Sequence, residues 1–534
     1  MQKFSFLWEY LQHWGQEDPS FPALHDHGST ITYGQLDNLT ENMAKHLLQS
    51  GVQKGDTVIT MLPCSSQYII TLLAADKIGA ITVPLDVKYR TEDLKRFMRH
   101  VKPSAVVSVP RADNFDVAAE LKTIAAQMPE LEHTTWVFTQ PAGFGSTFEQ
   151  VTGPGGTEKI SLTDVKRSQE LDDGMVIVFT GGTTGVPKAA LLSKQNVTAM
   201  AAVEAEFLGE YIPGRIKTIA SLPPSHVGGT VEMICMALAG GFEIFVHDAW
   251  SPQRVLETTQ KEGVPWIGGV PTMYAITMLL PDLDSYDLSS LKIAVFSGEK
   301  VDLELLHMVQ EKICPNIIIG YGSTEAGSEV TFTKPGTDEK LIADGYVGTP
   351  LPGVEIRISD ENGNALPAGE KGEVQVKSPY TIKSYYQMPD EDSAGFTPDG
   401  FCKTGDLGVL DEDGGLYIKG RLKHIIRVGS YTVLPSEVEE VIIKTGKVGM
   451  AAVIGIPDKI YGEIVWAVVS PMPGADVKEE EIIAHCKQNL AGFKVPIRVL
   501  VQPELPMTRI GKVHRVKVQE DVIGQLKAGS LQEA

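Results

Sequence analysis

The residues best equipped for chemistry cluster in the segment FTGGTTGVPKAALLS at 179–193. Thr180, Gly181, Gly182, Thr183, Thr184 and Gly185 come directly after the apolar run MVIVF, and Lys188 closes the group. Glycine permits φ > 0, so successive backbone N–H groups can point into one concavity, and threonine hydroxyls add donors. A strand feeding such a loop, with one lysine at its end, is built to hold phosphate. It is not a Walker A loop, in which Lys and then Ser/Thr follow the last Gly directly. Here Val186 and Pro187 intervene and Ala189 follows. A plain surface turn accounts for the Gly and Thr but leaves the Pro-Lys ending unexplained.

These residues must be held by a larger frame. Between about 56 and 325, β-like runs alternate with helical patterns: DTVITML, SSQYIITLLAADKIGA and ITVPL; RIKTIASLP, VEMICMALAG and FEIFV; LKIAVF, DLELLHMVQEKIC and NIIIGYG. That alternation predicts an α/β fold of βαβ units in largely parallel sheets, with ligands at the carboxyl ends of strands. Three segments are expected as strand-end loops around one crevice: the Gly/Thr loop, SGEK (297–300) after LKIAVF, and GYGSTEAG (320–327) after NIII. From about 345 to 420, short runs with turn signals predict a small barrel-like β subdomain. Beyond 420 a compact α/β segment is expected, with a helix starting at Ser436 and a capping box completed by Glu439. Phe4, Leu7, Tyr10, Leu11 and Trp14 predict an amphipathic N-terminal packing helix, and 143–156 an exposed loop.

At 534 residues the chain exceeds one core, so at least two domains are expected. A net charge of -21 disfavours nucleic acid and anionic membranes, and an anionic substrate must be held by local donors and metal. The five cysteines stand singly, without metal-ligand spacing, and read as buried or incidental thiols of a reducing compartment. No apolar run is long enough to span a bilayer, and neither terminus suggests a cleaved leader or lipid anchor. The expected address is the cytoplasm, with no membrane insertion, as a monomer or homodimer.

FTGGTTGVPKAALLS, GYGSTEAG, TGDLG (404–408), GRLKHIIRVGSYTVLPSEVEE (420–440) and LPMTRIGKVHR (505–515) occur in this order along nearly the whole chain. Together they resemble the adenylate-forming superfamily of acyl-CoA synthetases, adenylation domains and luciferases, in its acyl- or aryl-CoA ligase branch. The resemblance implies an N-terminal ATP- and acyl-binding domain (1–420, with the β subdomain at about 345–420), a hinge at 421–423 and a mobile α/β C-terminal domain (424–534). It implies ATP, Mg²⁺ and coenzyme A, and a reaction in two halves. A carboxylate first displaces pyrophosphate from ATP to give an acyl-adenylate, and a thiol then displaces AMP. Loading of a carrier protein is the alternative second half.

By the same resemblance, Thr180, Gly182, Thr183, Thr184, Gly185 and Lys188 cradle the β- and γ-phosphates. Glu325 holds Mg²⁺ and Thr324 touches the α-phosphate. Tyr321, between Gly320 and Gly322, stacks on adenine, with Gly298, Glu299 and Lys300 as the opposite wall. Asp406 accepts the ribose hydroxyls, Arg421 reaches ribose and phosphate, Lys423 marks the hinge, and Lys512 contacts the substrate carboxylate and α-phosphate. Gly429, Ser430 and Tyr431 border the coenzyme A passage. Ser430 stands where the family commonly has glycine, His424 replaces an acidic residue beside the hinge, and Gly181 and Ala189 replace Ser and Gly. The expected acyl pocket is His226, Val227, Gly228, Val270, Met273, Gly298, Gly322, Ala326, Gly327 and Ser328. These small or apolar walls predict a neutral aromatic, alicyclic or medium-chain carboxylate. His226 is read as a pocket gate, with a packed helix-start histidine as the alternative. Amino-acid-activating relatives place an aspartate near 226–229, and this chain has none there.

Overall fold

The structure is a computed structural model that describes residues 3–153, 160–180, 187–428, 431–458, 461–490, 492–508, 512–527 and 531. The chain forms two compact units: 1–356 with 375–404, and 357–374 with 405–534.

Three sheets organise the first unit. The largest has seven strands, and its centre is Thr57–Met61, Ile81–Pro84 and Gly174–Thr180, all parallel. Between the first two of these runs the helix Ser66–Ile78, apolar on nearly every side and buried along its length. Ser65 caps it by accepting from the Tyr68 N–H at 3.2 Å, and Gly79 ends it at φ 73°, a left-handed turn that glycine takes without strain. In the N-terminal helix Leu7–Glu17, Leu7, Tyr10 and Leu11 are buried, as the spacing predicts. A second sheet contains Trp266–Gly269, Ile293–Phe296 and Ile317–Ser323 in parallel, then Ser328–Phe332 antiparallel. The third has Lys217–Ala220 beside Glu243–Val246.

Two of the expected strand-end loops are hairpins instead. Gly174–Thr180 returns as antiparallel Lys188–Ser193, and Ile317–Ser323 returns as Ser328–Phe332. Local composition signals a turn, but only long-range pairing decides whether a helix or a strand follows it.

In the second unit, residues 406–410 of the strand Cys402–Leu410 pair antiparallel with Leu416–Arg421. Val448–Asp458 and Gly462–Pro471 form a longer antiparallel pair, with Arg498–Val501 parallel to the latter. The helix expected from Ser436 spans Pro435–Ile443, with Leu434 at its N-cap and no side-chain cap. Proline is favoured at the first helical position, where its fixed φ suits the helix and its missing N–H is one of the donors left without an intrahelical partner, so the helix begins one residue before Ser436 and places that serine inside the first turn. Glu439 binds elsewhere, accepting from the Val453 N–H at 2.7 Å and from Arg515. The 143–156 stretch is also not simply an exposed loop. Ser146–Thr147 joins the large sheet, and Phe148–Thr152 is a short helix whose capping box is Thr147 with Gln150. Phe148 and Val151 are buried beneath it.

Candidate active site

Thr180 and Lys188 face each other as a register pair at the mouth of the first hairpin. The loop residues Gly182, Thr183, Thr184 and Gly185 lie outside the described residues. Lys188 Nζ lies 2.5 Å from Glu391 Oε2 on the helix Pro389–Gly395, and 5.1 Å from the centre of the Tyr385 ring. The Tyr385 backbone sits against the same hairpin through an antiparallel bridge to Ala190.

The second hairpin presents Thr324 and Glu325 at its tip. Glu325 Oε1 accepts from Thr180 Oγ1 and from the Tyr385 hydroxyl, both at 3.2 Å. Burial, reinforced by the Glu325 charge, pushes the Tyr385 phenol well above its ordinary value, so it stays a donor. The tip is tight. A Cβ on Gly322 would fall 1.8 Å from the Ser328 carbonyl oxygen, and one on Gly327 (φ 95°) would fall 2.0 Å from that of Tyr380. Ser328 is held at φ 144°, a conformation that a residue other than glycine adopts only under constraint. Ala326 is buried and Tyr321 half-buried.

Glu325 satisfies both hydroxyls through Oε1, leaving Oε2 as a hard oxygen donor. Among the described residues no three Asp, Glu, His or Cys side chains group to hold a metal ion. This suits Mg²⁺, which keeps several waters and is usually bound through one or two carboxylates plus substrate phosphates. It does not suit a cage made of protein alone.

SGEK follows the strand Ile293–Phe296 as expected, with Gly298 at φ 80° and exposed, Glu299 half-buried and Lys300 exposed. The expected acyl walls are spread over several elements. His226 begins a helical turn, its carbonyl accepting from the Gly229 and Thr230 N–H groups at 3.1 Å. Gly228–Cys235 then winds as a π-helix. Such segments recur at functional sites because the wide turn re-aims side chains. Gly229 has no room for a side chain, since its Cβ would lie 2.3 Å from the Pro223 oxygen. A partly open cleft lies beside this helix, lined by Ser221, Met233, Trp250, Trp266, Gly269 and Met273, among others. Of the expected walls only Met273 lines this cleft; Val270 is next in sequence to Gly269.

Within the second unit, Asp406 is 3% exposed and stands opposite Arg421, whose Nε lies 2.8 Å from Asp406 Oδ1. Lys423 belongs to the 3-10 turn Leu422–His424 and Tyr431 opens the strand Tyr431–Val433. Gly429 and Ser430 lie outside the described residues. Arg515 forks onto Glu439 at 2.7 and 2.8 Å and approaches His424 Nδ1 at 3.0 Å. An arginine is a donor only, so that imidazole nitrogen accepts. The departure at His424 therefore has a partner in the body of the unit. Lys512 is half-buried. Its N–H donates to Thr508 Oγ1 at 3.0 Å, and its carbonyl accepts from the Thr508 N–H.

Tyr385 and Glu391 were not expected from the sequence, because they reach the site only through tertiary pairing. Three further acidic residues stand out in the sequence against apolar or alanine-rich surroundings or a neighbouring motif: Glu204, Glu232 and Glu329. Glu232 interrupts the apolar run VEMICMALAG, and Glu204 sits in the alanine-rich AAVEAEF.

Comparison with known proteins gives this geometry its context. The AMP-binding enzyme family matches residues 11–386, and its C-terminal domain family matches 437–512. A long-chain-fatty-acid–CoA ligase of Bacillus subtilis is 29% identical over 94% of this chain and 92% of its own. ATP-bound MatB from Rhodopseudomonas palustris superposes with a TM-score of 0.84 at 27% identity, covering 97% of this chain and 98% of the other. The o-succinylbenzoate coenzyme A synthetase MenE of Bacillus subtilis, in complex with ATP and magnesium, gives 0.81 at 25% identity over 95% and 98%. The chain belongs to the AMP-binding enzyme family of adenylate-forming enzymes, and it is an AMP-forming acid–thiol ligase.

Proposed function

We propose that the protein joins an aromatic, alicyclic or medium-chain carboxylate to coenzyme A at the expense of ATP. The observation behind this reading is the convergence of two hairpins: Thr180 and Lys188 at the mouth of one, and Thr324 and Glu325 at the tip of the other. In the first half-reaction a substrate carboxylate oxygen bonds to the α-phosphorus and the bond to the bridging oxygen breaks, releasing pyrophosphate. Two anions must meet, so positive charge and oriented donors do most of the work. Lys188 exchanges its Glu391 partner for triphosphate oxygens, and the Thr180 and Thr324 hydroxyls donate beside it. Glu325 would hold Mg²⁺, which would supply charge neutralisation for the phosphates. Asp406 orients the ribose, and Lys512 aligns the carboxylate with the α-phosphate. In the second half-reaction the thiolate attacks the acyl carbon, AMP departs, and the thiol proton goes to solvent.

Lys512→Ala tests the division of labour. Pyrophosphate release from ATP and carboxylate is expected to fall by about 10²- to 10³-fold, the scale of losing one charge-stabilising donor. Thioester formation from supplied acyl-adenylate is expected to stay within a few-fold of wild type. Equal loss of both half-reactions overturns the assignment of Lys512. Absence of AMP and pyrophosphate release across C2–C12, cyclic and aromatic acids overturns the ligase reading itself.

A further inference from the structure

Three glutamates meet inside the first unit. Glu204 comes from the helix Lys194–Tyr211, Glu232 from the π-helix Gly228–Cys235, and Glu329 from the strand Ser328–Phe332. Glu204 is 5% exposed and Glu329 3%, while Glu232 is half-buried. Burial and mutual repulsion push the Glu204 and Glu329 carboxyls far above the ordinary range, and burial alone raises Glu232. Ser328 Oγ donates to Glu232 Oε1 and Ser297 Oγ to Glu329 Oε1. Both oxygens of Glu204 and Oε2 of Glu329 lack any partner among the described residues, and no Lys, Arg or His there pairs with any of the three.

A buried carboxyl without a cation is an expensive feature that simple packing does not require, since glutamine or leucine would fill the space at less cost. The cluster also borders the expected acyl site. Glu232 Oε2 lies 3.5 Å from where a Cβ on the expected acyl wall Gly228 would stand, and Glu329 follows the expected wall Ser328 directly, its Oε2 2.9 Å from where a Cβ on Gly320 would stand. Ser297, which holds Glu329, donates its N–H at 3.1 Å to the carbonyl of Gly269, on the wall of the cleft beside the π-helix. Met233, on the same wall, follows Glu232 directly. Among the described residues the cluster does not qualify as a metal site.

We propose that Glu204, Glu232 and Glu329 form a subsite for a cationic group, an ammonium or quaternary ammonium, at the far end of the acyl tail. This deepens the ligase reading and rests on it. The sequence expectation of a wholly neutral tail followed from the small and apolar walls and did not include these three side chains. With a cationic tail in place, the unpartnered oxygens Glu204 Oε1 and Oε2 and Glu329 Oε2 acquire the positive charge that the protein does not supply.

The test measures AMP release by the full-length enzyme with ATP, Mg²⁺ and coenzyme A. The acids are ω-(trimethylammonio)alkanoates with two to five methylenes and their tert-butyl isosteres, which differ only in N⁺ against C. The expected result is a kcat/KM at least tenfold higher for a cationic acid than for its isostere, with that ratio falling at least tenfold in Glu329→Gln. Should Glu329→Gln not fold, as judged by its melting transition, Glu232→Gln at the half-buried position supplies the same ratio. An isostere used as well as or better than its cationic partner overturns the subsite while the ligase reading stands. So does a ratio unmoved by either variant. No AMP from either series or from the broader acid panel overturns both readings.

Discussion

One helix, Lys194–Tyr211, holds two buried titratable groups in opposite situations. At its first residue Lys194 is fully buried, pairs with the equally buried Asp76, and donates to the Asp76 carbonyl at 2.9 Å. Nearby, buried Lys77 reaches Asp37 at 2.5 Å and Thr40 Oγ1 at 2.6 Å. Ten residues after Lys194, Glu204 is also buried and has no partner among the described residues. The paired end fastens helix to helix. The unpaired end leaves a charge deficit that only a proton or a ligand fills. Lys188 stands between these cases, paired for now with Glu391, with both side chains a fifth to a quarter exposed.

Breaking the paired end is expected to have the largest effect. Lys194→Met strands a buried carboxylate and should cost about 3–5 kcal/mol in denaturant unfolding, whereas Lys194→Met with Asp76→Leu should recover most of it. A double variant as unstable as the single one erases the contrast.

The unpaired end should appear in the pH dependence of the ligand-free enzyme. Glu204 ordinarily titrates near 4.5 and is raised in the fold by burial, then by Glu232 and Glu329; Cys235 and Tyr380 also face it, and both thiol and phenol are themselves raised and stay neutral. The folded protein thus keeps a proton that the unfolded chain releases. Stability should fall as pH rises above about 4.5, by up to ~1.4 kcal/mol per pH unit for each such group, and level off above the folded-state value. Urea unfolding between pH 5 and 8 measures this slope, which Glu204→Gln should reduce. A slope of opposite sign would mean that the carboxyls are already compensated.

The smallest effect belongs to the provisional pair. Glu391→Gln frees Lys188 for phosphate and should lower the KM for ATP by about two- to fivefold, in keeping with a partly exposed ion pair worth ~0.2–1 kcal/mol. A raised KM would make Glu391 part of the nucleotide site.

The legible part of the site was the part written in consecutive residues. Gly322 and Gly327 are there because no Cβ fits, and Lys188 stands beside Thr180 because a hairpin returns it there. Tyr385 and Glu391 gave no local signal, being brought in by a bridge nearly two hundred residues away in sequence. The α/β frame was readable from apolar periodicity. Strand direction after each turn was not, since it depends on which edge of a sheet is free. The helix at Pro435 shows the limit of motif matching: Ser436 and Glu439 have capping-box spacing, but Pro435 starts the helix one residue early and Arg515 takes the glutamate.

The π-helix Gly228–Cys235 has a bearing on how such enzymes diverge. A π-turn holds one residue more than an α-turn, so losing a single residue within it would restore α geometry and rotate one side of the helix against the other by about 100°. Glu232 would swing away from Ser328 without a single contact residue having been exchanged. If the proposed subsite holds the tail, a one-codon deletion here changes the choice of acid, a route that a comparison of aligned pocket residues would pass over.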